Sequence, residues 1–347
     1  MKILSTRRLL QQGNGSFAAC CALVVLSTLQ ASCATHSPVG IEQRAEVDLY
    51  ESLVDVRFVT NRKLVASASD GVFFAGEAGE LSGGQCRVGI GDRAPRGDVV
   101  RIDTRTLEST FDSDGSGRFV IYVHGYGESL SKSCRRAALL QHRLGLEKRL
   151  LLFSWPSSNY LTYAQDAVAL EQSLDPIRDA LIRASSAIGA ENIVLMAHSM
   201  GARGVVDALR AWGPDHGRFG QIIFVAPDIG REAFLEEVGA LREKASEITI
   251  YSSDNDMALW LSTTVNGSAR LGLTKEMDLQ HANLIDVTKA GLKSMSGHTY
   301  HIFNPAVAED LRIVLGTGPA DGERAFRRVP GKVDRFWVLE PVVTKSL

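Results

Sequence analysis

Residues 193–201 read Ile-Val-Leu-Met-Ala-His-Ser-Met-Gly, an apolar run that breaks at Ser199. Ile193 to Ala197 have the short, β-rich composition of a strand buried on both faces. From Met200 to Trp212 the pattern turns helical, with Val205, Leu209 and Trp212 spaced for one face. A serine at such a junction sits on a strained turn that projects its hydroxyl from the carboxyl end of a sheet, where it can act as a nucleophile. The residues two before and two after must be small, because the helix backbone passes close to the strand. Ala197 and Gly201 meet that need, with alanine standing where the usual G-x-S-x-G has its first glycine. The competing reading is an ordinary strand-to-helix turn with an incidental serine.

A nucleophilic serine needs oxyanion donors, a base and an acid. Residues 119–127, Phe-Val-Ile-Tyr-Val-His-Gly-Tyr-Gly, form a second apolar run ending in His-Gly. A loop there supplies one backbone N–H, assigned to Tyr126, and the residue after the nucleophile, Met200, supplies the other. In enzymes of this kind the acid and then the histidine follow the serine along the chain. Four histidines follow Ser199. His216 lies in a turn directly after the elbow helix, and His281 precedes the expected strand Asn283–Thr288. His298 follows that strand in Ser-Gly-His-Thr-Tyr-His and is the expected base, with His301 in reserve. For the acid, the strand-like Glu247–Tyr251 ends in Ser-Ser-Asp-Asn-Asp, which offers Asp254 and Asp256; Asp228 ends the expected strand Gln221–Ala226. Asp256 is favoured because the acid usually sits several residues past the strand end. Asp254 then reads as a turn former, and Asp228 as a helix cap or part of the site floor.

These residues need a scaffold that gathers the carboxyl ends of several strands. From residue 119 onward, strands alternate with helices. Leu150–Ser154 is a strand, and Leu174, Ile177, Leu181, Ala184 and Ile188 mark one helical face, with Pro176 at an early helical position or a kink. Such alternation implies a parallel sheet covered by helices on both faces. Before it, Val54–Thr60, Gly71–Phe74, Arg87–Ile90 and Val99–Ile102 read as short strands divided by glycines, an antiparallel edge. Residues 257–282 read as a lid, a pocket wall or an amphipathic packing helix. Residues 317–347 have no assignment.

Together these stretches resemble a bacterial α/β-hydrolase family known as domain of unknown function nine hundred. The resemblance rests on Val59-Thr60-Asn61-Arg62, Tyr122-Val123-His124-Gly125-Tyr126, Phe153-Ser154-Trp155-Pro156-Ser157, Ala197-His198-Ser199-Met200-Gly201 and Ala226-Pro227-Asp228-Ile229. Tyr251-Ser252-Ser253 with Asp256, Ala258 and Leu259 adds to it, so that it spans roughly residues 50 to 305. It implies an α/β-hydrolase fold and a serine-hydrolase triad, without a substrate. Gly127 departs from the family pattern, which often carries asparagine after His-Gly-Tyr.

The amino terminus carries Lys2, Arg7 and Arg8, then the apolar stretch Phe17 to Leu29, then Gln-Ala-Ser-Cys. This is the pattern of a secretory signal, since a membrane span needs about 20 apolar residues. Ala31-Ser32-Cys33 predicts a lipoprotein signal with Cys33 lipidated, giving a signal at 1–33, a polar tether at 34–50 and a hydrolase domain at 51–316. The other reading is ordinary cleavage near Ala34. Either places the mature chain outside the cytoplasm, in a periplasm or anchored on a bacterial membrane. Cys86 and Cys134 then remain and invite a disulfide in an oxidising compartment; the alternative is two buried thiols.

A formal charge of −2, falling to about −5 once the three leader cations are removed, argues against a nucleic-acid partner. No nucleotide-binding fingerprint and no zinc motif is present, so no cofactor or metal is expected. Asp112-Ser-Asp-Gly-Ser-Gly117 lacks the later ligands of a calcium loop and reads as a solvated turn. The expectation is an exported carboxylic ester hydrolase working through an acyl-enzyme on a small-molecule or lipid ester. An amidase, thioesterase or acyltransferase with the same triad is the alternative, as is a non-catalytic envelope lipoprotein that keeps the fold as a scaffold.

Overall fold

The computed structural model describes residues 50–68, 71–112, 117–157, 163–273, 275–291, 296–318 and 326–342. The signal, Cys33 and the tether to residue 49 lie outside these, as do residues 113–116 of the acidic turn.

A single sheet runs through the molecule. Its strands are β1 (Ser52–Ala68), β2 (Gly71–Gly91), β3 (Ala94–Arg105), β4 (Phe119–Val123), β5 (Leu150–Ser154), β6 (Ile193–His198), β7 (Gln221–Val225), β8 (Ile248–Ser252), β9 (Asn283–Asp286), β10 (Phe326–Pro330) and β11 (Phe336–Pro341). They lie in the order β10-β11-β9-β8-β7-β6-β4-β5-β1-β2-β3. From β11 to β1 every neighbouring pair is parallel. The antiparallel pairs β1–β2 and β2–β3 form one edge, and β10 closes the other.

Among the described residues the α-helices are α1 (Leu107–Thr110), α2 (Leu130–Arg143), α3 (Tyr163–Glu171), α4 (Leu174–Ile188), α5 (Met200–Arg210), α6 (Arg231–Lys244), α7 (Met257–Asn266), α8 (Tyr300–Phe303) and α9 (Pro305–Leu315). Alternation along the strands divides their side chains between two cores. Ile121, Val123, Leu195 and Phe224 pack with Ile177 and Leu181 of α4, Val205 and Leu209 of α5 and Phe234 of α6. Val120, Tyr122, Val194 and Met196 pack with Leu139 and Leu140 of α2, Ile302 of α8 and Leu311 of α9. The parallel strands are therefore apolar on both faces, which is why β4 to β8 read as unbroken runs rather than alternating ones.

Two regions differ from the sequence expectation. The four short amino-terminal strands are three long ones, because Gly71–Phe74 and Arg87–Ile90 belong to the same strand, β2. Its glycines mark close packing rather than turns: a Cβ on Gly84 would run into the Phe58 ring of β1. The unassigned carboxyl-terminal stretch supplies the β10–β11 hairpin, with β11 pairing β9 through Phe336↔Leu284 and Trp337↔Ile285. The sheet therefore continues past residue 316.

Cys86 of β2 and Cys134 of α2 are bridged, with Cα atoms 6.2 Å apart. The link ties the helix that follows the His-Gly loop to the antiparallel edge. Among the described residues no helix is long and apolar enough to cross a membrane.

Candidate active site

Ser199 lies between β6 and α5 with φ 54° and ψ −126°, left-handed backbone that a non-glycine residue adopts only when its surroundings hold it there. Those surroundings are specific. The Ser199 N–H donates to Val225 O (3.0 Å), and Ser199 O accepts from the Asp228 N–H (3.1 Å). A Cβ on Gly201 would collide with the backbone oxygen of His124, so the small residue two positions after Ser199 lets α5 pass against the β4 loop. On that loop, a Cβ on Gly125 would stand 2.8 Å from Ser199 Cβ. The serine is 4% exposed, at the carboxyl end of β6.

His298 and Asp256, expected as base and acid, meet this serine. His298 Nε2 lies 2.9 Å from Ser199 Oγ, and His298 Nδ1 lies 2.7 Å from Asp256 Oδ2. Because a carboxylate only accepts, the imidazole proton belongs on Nδ1, which leaves Nε2 able to accept from the serine hydroxyl. Asp256 is fully buried and is also the N-cap of α7, its Oδ1 accepting the Leu259 N–H at 3.1 Å. One carboxylate thus caps a helix and accepts from the His298 imidazole.

The two alternative acids have other places. Asp254 is exposed in the turn before α7, where its N–H donates to Thr288 Oγ1 (3.0 Å) and its carbonyl accepts from Trp260 Nε1 (3.0 Å). Asp228 lies below the elbow, accepting from Tyr163 OH (2.9 Å) and Ser262 Oγ (2.6 Å) and pairing with Arg270 (3.4 Å). Its carboxylate is thus committed to these three partners, while Asp256 is the acid at His298 Nδ1. His301 is buried, with Nε2 3.2 Å from Tyr122 OH. His216 lies beside Trp212, with ring centroids 5.0 Å apart, and His281 is exposed. The stretch 257–282 is neither wholly lid nor wholly packing: Trp260 and Leu261 of α7 are exposed, whereas Leu271 and Leu273 beyond it are buried.

The loop expected to hold the oxyanion is fastened peptide by peptide. The His124 carbonyl accepts from Trp155 Nε1 (2.8 Å), and the Gly125 carbonyl is 2.8 Å from His124 Nδ1. The Gly127 N–H donates to Asp166 Oδ2 (3.2 Å), and its carbonyl accepts from Lys132 Nζ (2.8 Å). The Glu128 N–H donates to Ser157 Oγ (3.1 Å), and its carbonyl accepts from Arg62 Nη2 (2.6 Å). The Ser157 hydroxyl donates in turn to Asp166, and the Glu128 carboxylate pairs with Arg136. Tyr126 projects from this frame with its ring 5.9 Å from that of Tyr163, and Met200 is buried at the start of α5.

Burial shifts two of these groups far from their ordinary behaviour. It lowers Arg62 to about 9 despite the Glu128 and Asp166 charges that oppose the shift. It lowers His124, stacked on Trp155 at 5.2 Å, to about 4. The Asn-Arg and Phe-Ser-Trp-Pro-Ser segments therefore act as the frame of the His-Gly loop. Asp166, Glu128 and Arg136 were not foreseen; Asp166 and Glu128 are fully buried in this frame and Arg136 is half-buried. Among the described residues no cluster of histidine, cysteine and carboxylate could hold a metal ion.

A left-handed serine at the carboxyl end of a mostly parallel sheet, with helices on both faces and an imidazole–carboxylate pair on later loops, defines the α/β-hydrolase class. The chain belongs to the family described as alpha/beta hydrolase of unknown function (DUF900), whose pattern matches residues 102–316. The Val59–Arg62 stretch lies outside that match. No curated protein sequence matches the chain. Solved structures similar to it include the ydeN gene product of B. subtilis, at 16% identity over 57% of this chain and 99% of that one, with TM-score 0.35. Aspergillus fumigatus lipase B is similar at 15% identity over 60% of this chain and 54% of its own, with TM-score 0.36. The thermostable carboxylesterase EstE1, from a metagenomic library, is similar at 10% identity over 77% and 90%, with TM-score 0.35.

Proposed function

We propose that this α/β hydrolase is an exported serine esterase that works through an acyl-enzyme. The observation that carries the reading is the hydrogen-bonded line from Ser199 Oγ through the His298 imidazole to Asp256, with spacings of 2.9 and 2.7 Å. Ser199 Oγ attacks the ester carbonyl while His298 Nε2 takes its proton, and Asp256 stabilises the imidazolium. The backbone N–H groups of Tyr126 and Met200 hold the oxyanion; loss of one such donor costs about 3 kcal/mol. Collapse of the tetrahedral species breaks the carbonyl–alkoxy bond. His298 returns the proton to the leaving alcohol, and Ser199 keeps the acyl group. Water, deprotonated by the same imidazole, then releases the carboxylic acid and restores the serine.

Export rests on the basic-then-apolar leader ending in Ala31-Ser32-Cys33, with Cys33 as lipid attachment site. The Cys86–Cys134 bridge supports this, because such bonds persist in oxidising compartments. The test is covalent labelling of the purified mature protein by a fluorophosphonate, together with turnover of a panel of esters of increasing acyl length. The proposal requires labelling at Ser199 and ester turnover that Ser199→Ala abolishes.

A further inference from the structure

We infer that His198, the residue before the nucleophile, is the positioning residue that ties the base loop to the elbow; this rests on the serine-hydrolase reading above. Alternation along β6 puts His198 on the face of Val194 and Met196. Its Nε2 lies 3.1 Å from the backbone carbonyl oxygen of His298. A carbonyl only accepts, so Nε2 carries the ring proton and Nδ1 is bare. Nδ1 is buried with no hydrogen-bond partner among the described residues, and a Cβ on Gly125 would stand 2.9 Å from it. The ring therefore occupies the space that a side chain at 125 would need. One imidazole meets the nucleophile by its own peptide bond, the base loop by a hydrogen bond and the oxyanion loop by contact.

The connection closes a ring of constraints. It runs from Ser199 Oγ through the Ser199 backbone to His198, from His198 Nε2 to the His298 carbonyl, and from His298 Nε2 back to Ser199 Oγ. Among the described residues the base loop is also held by the His298 side chain on Asp256 (2.7 Å), by the Met257 N–H donating to Ser296 O (3.0 Å) and by the His298 N–H reaching Ser296 Oγ (3.4 Å), but only His198 holds the His298 backbone carbonyl. The faces of the His198 ring are packed as well. The His298 ring centroid lies 4.7 Å away and that of His301 lies 4.5 Å away, while His301 is set by Tyr122 OH. Burial, followed by the nearby histidines, holds His198 well below the ordinary imidazole range, so it remains a neutral donor beside the base.

The test compares His198→Gln, His198→Leu and His198→Asn. Glutamine places an amide N–H where Nε2 stands, asparagine places one nearer Nδ1, and leucine fills space without donating. The measurements are kcat and KM for an ester, per mole of enzyme titrated to completion with fluorophosphonate, and the NMR signal of the His298 Nδ1–H proton. A misplacement of one ångström costs about 100-fold, so His198→Leu should lose about 100-fold in kcat with KM within about threefold. His198→Gln should recover to within about tenfold of wild type and His198→Asn should not, since only the former restores the donor. A purely structural role would lower the melting temperature but leave kcat per titrated site equal in the glutamine and asparagine variants, and that equality overturns the inference. If His198→Leu does not fold, the glutamine–asparagine comparison decides. If wild type turns over no ester, the functional reading fails separately, and the NMR signal still decides. Loss of the Nδ1–H signal in His198→Leu with retention in His198→Gln supports the tie, and retention in both overturns it.

Discussion

Replacing Asp256 by asparagine separates the two tasks of that carboxylate. Its Oδ1 caps α7 through the Leu259 N–H at 3.1 Å, and its Oδ2 faces His298 Nδ1 at 2.7 Å. An asparagine keeps the cap by placing its oxygen toward Leu259, because the opposite orientation would set two N–H donors against each other. Asparagine is as good an N-cap as aspartate, so the expected stability change from capping is below about 1 kcal/mol. The amide nitrogen then points at His298 Nδ1 and donates to it. That forces the imidazole proton onto Nε2, facing Ser199 Oγ, where the ring can no longer accept the serine proton. The same exchange in a serine protease triad lowers kcat by about 10⁴. At about 1.36 kcal/mol per tenfold, that is about 5.5 kcal/mol of transition-state stabilisation. Asp256→Asn should therefore show near-normal melting and about 10⁴-fold lower kcat in an ester hydrolysis assay corrected for folded protein. Asp254→Asn, on the exposed turn, should stay within about threefold of wild type, as surface substitutions usually do. Asp256→Asn activity above a tenth of wild type, or an equal loss in Asp254→Asn, would refute the reasoning.

Other consequences follow from the frame and the leader. Asp166→Asn removes the charge that faces Arg62 and holds the Gly127 N–H and Ser157 hydroxyl, and should lower kcat about tenfold through a loosened oxyanion loop; an unchanged kcat would show that the loop does not depend on it. His124 is held at about 4 by burial against 6.5 in the unfolded chain, so as pH falls below 6.5 the unfolded state takes up a proton that the native state refuses. Its stabilising contribution is full above pH 6.5 and is lost by about pH 4, amounting to about 3 kcal/mol, and buried His198 and His301 act in the same sense. Urea midpoints at pH 7.5 and 4.5 should differ less in His124→Gln than in wild type, and equal differences would contradict this. Wild-type protein expressed in a Gram-negative host should incorporate labelled palmitate and Cys33→Ser should not; absence of label from wild type would favour ordinary cleavage near Ala34.

Much of the site was legible because chain order and strand ends constrain it. Ser199, Asp256 and His298 each follow an apolar run, and β6, β8 and β9 bring those ends to one side of the sheet. The cysteine pair was legible as a possibility only, since nothing in a sequence states how close β2 and α2 approach. The frame was not legible. Asp166 reads as an ordinary helical acid and Glu128 as a loop acid, yet both are fully buried, Asp166 accepting from the Gly127 N–H and Ser157 hydroxyl and Glu128 pairing with Arg136. The length of β2 was hidden by glycines that suggest turns but give room to neighbours such as Phe58. The carboxyl-terminal hairpin was hidden by composition: Phe-Arg-Arg-Val-Pro is half-exposed at the sheet edge and lacks the apolar run that marks the inner strands.

The central claim is that Ser199 is an activated nucleophile, and fluorophosphonate labelling followed by peptide mapping tests it most directly. The account predicts one adduct, on Ser199, that forms in the wild-type mature protein, slows by orders of magnitude in Asp256→Asn and is absent in Ser199→Ala. Wild-type protein that stays unlabelled while fully folded, or an adduct that persists in Ser199→Ala, would contradict it.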